Sequence, residues 1–282
     1  MNAKSKAEPS KVIIGIHGLS NKPPEKTLAN WWEKAMLEGL EVNCGLRLEA
    51  LDFCSVYWAD VMYRKPDPKP DRYRRAKKGA LQPYEEGWLD YIREVVLDIG
   101  GDMLDTMKQT FGMDALADRV LKSKLKDLYK YYEKPAIRKK LRDRLRQAIL
   151  DNRNKRIMLV AHSMGTIIAY DVLRELGRED AGLSVEHFVT IGSPLGLPHV
   201  KYKIMLESPL VRTPSIVKKW SNLADRRDPV ALDVHLSDDY EANYAGVKVR
   251  DDLVMNDWGG IHHKSYGYLR TPEFSNLLKN FI

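Results

Sequence analysis

Arg156-Ile157-Met158-Leu159-Val160-Ala161-His162-Ser163-Met164-Gly165 begins as an apolar run and ends in a serine set between small residues. The run is short and lacks polar alternation, which suits a strand buried on both faces of a parallel sheet. Beyond it Ile168, Val172, Leu173 and Leu176 recur at helical spacing, and Gly177 is well placed to cap that helix. Strand, tight turn and helix in that order would hold Ser163 on a strained turn with its hydroxyl pointing away from the sheet. The neighbours must be small, because helix and strand pack closely there. Met164 opens the helix, so its backbone N–H has no acceptor within the helix and is available to an anion.

Upstream, Lys11-Val12-Ile13-Ile14-Gly15-Ile16 reads as another buried parallel strand, ending in His17-Gly18-Leu19. A helix follows around residues 28–40, with Trp31, Trp32, Ala35, Met36 and Leu40 on its apolar side. A strand lies within residues 46–58. Downstream, strands are expected at His187–Ile191, at Val217–Leu223 and within residues 247–255, and Thr271-Pro272-Glu273 starts a last helix. Strands alternating with helices predict an α/β fold, a mostly parallel sheet with helices on both faces. The middle of the chain has another character. Lys65-Pro66-Asp67-Pro68-Lys69-Pro70 is a proline-rich break, and residues 84–149 carry helical periodicity with almost no strand signal. The resulting division is a disordered lead-in at 1–10, a core of 11–60 and 150–282, and a helical cap insertion at 61–149.

The net charge is +7, and its excess is local. Eight Lys/Arg stand against two Asp in Arg64–Lys78, and eleven against three acids in Lys122–Arg146. Such a surface would suit an anionic membrane. It carries no nucleic-acid reader motif, so a nucleic-acid partner is not expected. No run approaches the roughly 20 apolar residues of a membrane span. The first residues have no apolar core and read as no secretory signal, so a cytoplasmic protein, at most peripheral at a membrane, is expected. Cys44 and Cys54 make no disulfide framework and are expected to be reduced. No His/Cys cluster has zinc spacing, and there is no phosphate loop or dinucleotide fingerprint, so neither metal nor cofactor is expected.

A serine hydroxyl becomes a nucleophile when a base takes its proton, and the base is commonly a histidine oriented by a carboxylate. In an α/β sheet built around such a serine, the acid and then the histidine follow it along the chain. Asp225 and Asp228 stand at the end of a predicted strand. Asp228 is preferred, because Pro229-Val230 gives it a stiff exit. His262 and His263 stand in the loop before the last helix, and His263 is preferred. His162 reads as packing and His17 as loop-shaping. Two N–H donors would complete an oxyanion hole: Met164, and Leu19 behind the flexible Gly18.

These motifs together resemble the α/β-hydrolase superfamily on its lipase and esterase side. His17-Gly18-Leu19 resembles its oxyanion loop, Ala161 to Gly165 its nucleophile elbow, Asp228-Pro229-Val230 its acid turn and His263-Lys264-Ser265-Tyr266 its histidine loop. Ala161 departs mildly from the pattern, which prefers glycine there. The resemblance covers roughly residues 11–60 and 150–282, and 61–149 matches no family pattern. It implies a serine hydrolase acting on carboxylic esters, small or lipid-like, through an acyl-enzyme on Ser163. The alternative is a catalytically idle hydrolase fold kept as a binding or membrane-association module. The presence of Ser163, Asp228 and His263 together argues against it.

Overall fold

The computed structural model describes residues 9–85, 127–208 and 210–282. Six strands form one sheet: β1 (Lys11–Ile16), β2 (Phe53–Val56), β3 (Arg156–His162), β4 (His187–Ile191), β5 (Trp220–Ala224) and β6 (Val249–Leu253). Their order is β2-β1-β3-β4-β5-β6, and every pairing is parallel. The helices are α1 (Glu25–Cys44), α2 (Ala59–Met62), α3 (Pro135–Asp151), α4 (Met164–Glu179), α5 (Pro198–Glu207), α6 (Leu236–Asp239), α7 (Ser265–Tyr268) and α8 (Pro272–Phe281). Residues 127–133 are helical as well.

The two-residue period of the strands divides their apolar runs between two cores. Val12, Ile14, Ile16, Ile157, Leu159 and Ala161 face the side covered by α3 and α4. Ile13, Met158, Val160, Val189 and Leu223 face the side covered by α1 and α8. Both faces are therefore buried, which explains why β1 and β3 show no polar alternation.

From β1 the chain crosses to β2 on one side and returns to place β3 on the other. The strand order thus reverses direction between β1 and β3, and a crevice opens at their C-terminal ends. Residues 17–19 leave β1 there and Ser163 leaves β3 there.

Three expectations need correction. Gly177 does not cap α4. The helix continues to Glu179 and Asp180 is its C-cap. A Cβ on Gly177 would lie 2.4 Å from Ser215 Oγ, so the glycine answers to close packing instead. The boundary of the core at 150 is too late, since Leu141, Leu145 and Ile149 of α3 belong to the same apolar cluster as β1 and β3. Residues 63–85, expected within a helical cap, form an irregular strap instead. Its prolines lack N–H donors, and the strap is tied down by side chains and a few backbone bonds. Asp67 N–H donates to Lys22 O at 2.7 Å, Trp258 Nε1–H to Asp71 at 2.7 Å, and Tyr84 N–H to Glu273 at 3.0 Å. Residues 86–126 of the expected cap lie outside the described residues.

Candidate active site

Ser163 joins β3 to α4 with φ 55° and ψ −130°, a conformation that costs a non-glycine residue free energy. Surrounding bonds hold it there. Ser163 N–H donates to Ile191 O at 3.1 Å, and the N–H and Oγ1–H of Thr166 both donate to Ser163 O, at 2.9 and 2.7 Å. Ser193 Oγ–H in turn donates to Thr166 Oγ1 at 2.9 Å. The need for small residues is literal. A Cβ on Gly165 would lie 2.7 Å from Ile16 O, and one on Gly18 would lie 2.4 Å from Ser163 Cβ.

His263 Nε2 lies 2.9 Å from Ser163 Oγ, and His263 Nδ1 lies 2.6 Å from Asp228 Oδ2. These three side chains, separated by 35 and 100 positions in sequence, are buried together. The Nδ1–H donates to the carboxylate, which leaves Nε2 as acceptor for the serine hydroxyl. Asp228 Oδ1 accepts Val230 N–H at 2.9 Å, and Oδ2 also accepts the Tyr268 hydroxyl at 2.8 Å. Gly192, at φ 54°, makes room, since a Cβ there would lie 2.8 Å from Asp228 Oδ2.

The two alternatives are engaged elsewhere. Asp225 forms a bidentate pair with Arg227, at 2.9 and 2.6 Å, and accepts Asn256 N–H at 2.7 Å. His262, at φ 50°, turns its Nδ1 to Asn256 O at 2.8 Å. His162 packs its ring 4.7 Å from that of His263, and its Nε2 lies 2.8 Å from the His263 carbonyl.

Leu19 and Met164 flank the serine from β1 and α4. Among the described residues neither amide donates to a protein group. The loop that carries Leu19 is clamped by a residue with no sequence signal, Trp58. Its N–H donates to His17 Nε2 and its indole N–H to His17 O, both at 3.0 Å, and the two rings stack at 4.5 Å. His17 Nδ1–H then donates to Gly18 O at 2.8 Å. Burial, aided by the charge of Lys22, lowers the His17 pKa to about 3, so the ring is neutral in this role. Trp58, Gly192 and Tyr268 were missed in the sequence because each acts through a neighbour brought up by the fold, and Thr166, although only three positions from Ser163, carries no motif.

The basic segments also look different in three dimensions. Arg138 pairs with Glu207, Arg142 with Asp171 and Glu175, Arg144 with Asp60, and Arg146 with Glu179. The acids come from other elements, so these four arginines of the run are paired across the fold. Among the described residues one acidic group, Asp233, Asp238 and Asp239, could share a cation. Lys201 already serves it as counter-ion, 2.5 Å from Asp239. Burial and the neighbouring Asp239 raise Asp233 to about 7, so part of the group's charge is held as a proton.

Residues 125–254 match a family model described as an alpha/beta hydrolase of unknown function (DUF900). The all-parallel sheet with its flanking helices and the matched segment are consistent with the α/β-hydrolase superfamily. The matched part contains Ser163 and Asp228 and does not reach Leu19 or His263. No match to a curated protein was found for the chain.

Proposed function

We propose that this chain is a serine hydrolase that cleaves carboxylic esters through an acyl-enzyme, on the lipase and esterase side of the α/β-hydrolase superfamily. The observation that carries the reading is the unbroken run of hydrogen bonds from Asp228 through His263 to Ser163 at the strand-order reversal. Ser163 Oγ attacks the ester carbonyl carbon as its proton passes to His263 Nε2. The N–H groups of Leu19 and Met164 receive the negative charge on the carbonyl oxygen. When the tetrahedral intermediate collapses, the alcohol leaves with the proton from Nε2. Water then repeats the sequence on the acyl-serine, giving the acid and restoring Ser163. Asp228 holds the productive tautomer and offsets the charge of the imidazolium.

One observation favours the idle-module alternative. Ser163 has no exposed surface, so a carbonyl reaches Oγ only after neighbouring residues move. A fluorophosphonate probe followed by intact mass, run beside chromogenic esters of graded acyl length, decides between the two. The expected result is one adduct, lost in Ser163→Ala, with turnover at least about a thousandfold lower in that variant. An adduct that persists in Ser163→Ala, or no adduct on the native chain, would sink the hydrolase reading.

A further inference from the structure

Tyr268 shares an oxygen with the histidine. Asp228 Oδ2 accepts both His263 Nδ1–H, at 2.6 Å, and the Tyr268 hydroxyl, at 2.8 Å. The direction of the tyrosine proton follows from its other bond. Asp225 N–H donates to Tyr268 Oη at 3.1 Å, so the hydroxyl accepts on one side and gives its proton to Asp228 on the other. The ring is fully buried at the end of α7, five residues after His263. Burial, with the charges of Asp228 and Asp225, keeps the hydroxyl protonated far above its ordinary range.

A carboxylate oxygen that accepts a second proton donor has less negative charge to offer the first. We propose that Tyr268 is a positioning residue that lowers the basicity of His263 by taking up part of the charge on Asp228. Its relevance to turnover rests on the reading of Ser163, His263 and Asp228 as the reacting set. Other titratable or charged groups near His263 and Asp228 among the described residues come from several elements. They include His162 at the end of β3, whose ring lies 4.7 Å from that of His263, Asp225 with Arg227 after β5, and Lys264, which pairs with Asp71 of the strap. Tyr268 donates to Asp228 Oδ2 beside His263.

Tyr268→Phe keeps the ring and removes the donor. Titration of His263 by nitrogen-15 NMR needs no substrate and reads its basicity directly. The expected result is an upward shift of roughly half to one pH unit in the variant. If the chain turns over esters, the acid limb of kcat/KM should move up by the same amount. A purely structural role would lower stability and leave the titration in place. Should Tyr268→Phe fail to fold, site-specific 3-fluorotyrosine at 268 keeps the hydroxyl and makes it a stronger donor, and His263 should then shift downward. An unchanged His263 titration in the folded variants overturns the proposal. A shifted titration in a chain that takes no fluorophosphonate would instead overturn the proposed hydrolase activity and leave this inference standing.

Discussion

Asp228 and Asp225 are three positions apart, both almost fully buried, and differ in what their oxygens accept. Asp228 takes an imidazole N–H, a phenol and one amide, whereas Asp225 takes a guanidinium and two amides. Asp228→Asn should therefore lower kcat by roughly a thousand- to ten-thousandfold, because an amide favours the wrong histidine tautomer. Asp225→Asn should chiefly lower the melting temperature, since it leaves Arg227 without its carboxylate. The same contrast is expected for His263→Ala and His262→Ala. Steady-state kinetics paired with thermal melts would check all four, and an inactive His262→Ala beside an active His263→Ala would contradict the assignment. The pair of candidates at each position was legible in the sequence. Which of each pair meets Ser163 was not, because three residues of turn or one residue of loop reverse a side chain's direction, and that depends on bonds to distant groups.

Elements came through the sequence unevenly. Residues 187–191 and 11–16 are strands with the expected bounds, and Thr271 caps α8 as its position before Pro272 implies, accepting Phe274 N–H at 3.2 Å. Buried β-strands and capped helices announce themselves through local pattern. The strap at 63–85 did not, because irregular backbone held by side chains has no period to detect. The clamp on the oxyanion loop is likewise an agreement between two elements, with Trp58 arriving beside His17 from the end of β2. Trp58→Phe removes the indole bond to His17 O and keeps most of the stacking. It should lower kcat by roughly tenfold with little change in KM, as expected when a donor to the transition state is displaced and ground-state binding is not. Equal losses of affinity and rate in a full ester titration would point instead to a role in substrate binding.

At the scale of the whole molecule, two buried histidines make folding sensitive to acid. Burial lowers His17 to about 3 and, aided by Lys219, lowers His187 to about 4, from an ordinary 6.5. As pH falls below 6.5 the unfolded chain gains protons that the folded chain refuses. The stabilisation they provide is complete above that pH and drains away as pH drops towards 3 to 4. The melting temperature should fall between pH 7 and pH 4.5, and fall less steeply in His187→Gln; parallel curves for the two proteins would refute this linkage. Charge shows most clearly what a linear reading misses. In linear sequence the cations of Lys122–Arg146 face mostly one another, yet the arginines of this run reach Asp60, Asp171, Glu175, Glu179 and Glu207 across the fold. By itself the sequence determined the α/β class, the parallel sheet covered on both faces and the strand ends at which chemistry-bearing residues stand. Those depend on the period of burial and on turn residues, which are local. Only the tertiary structure decided the order of strands, the partners of each charge, and the meeting of Ser163, His263, Asp228 and Tyr268. Those depend on contacts between residues tens to a hundred positions apart, which local pattern does not encode.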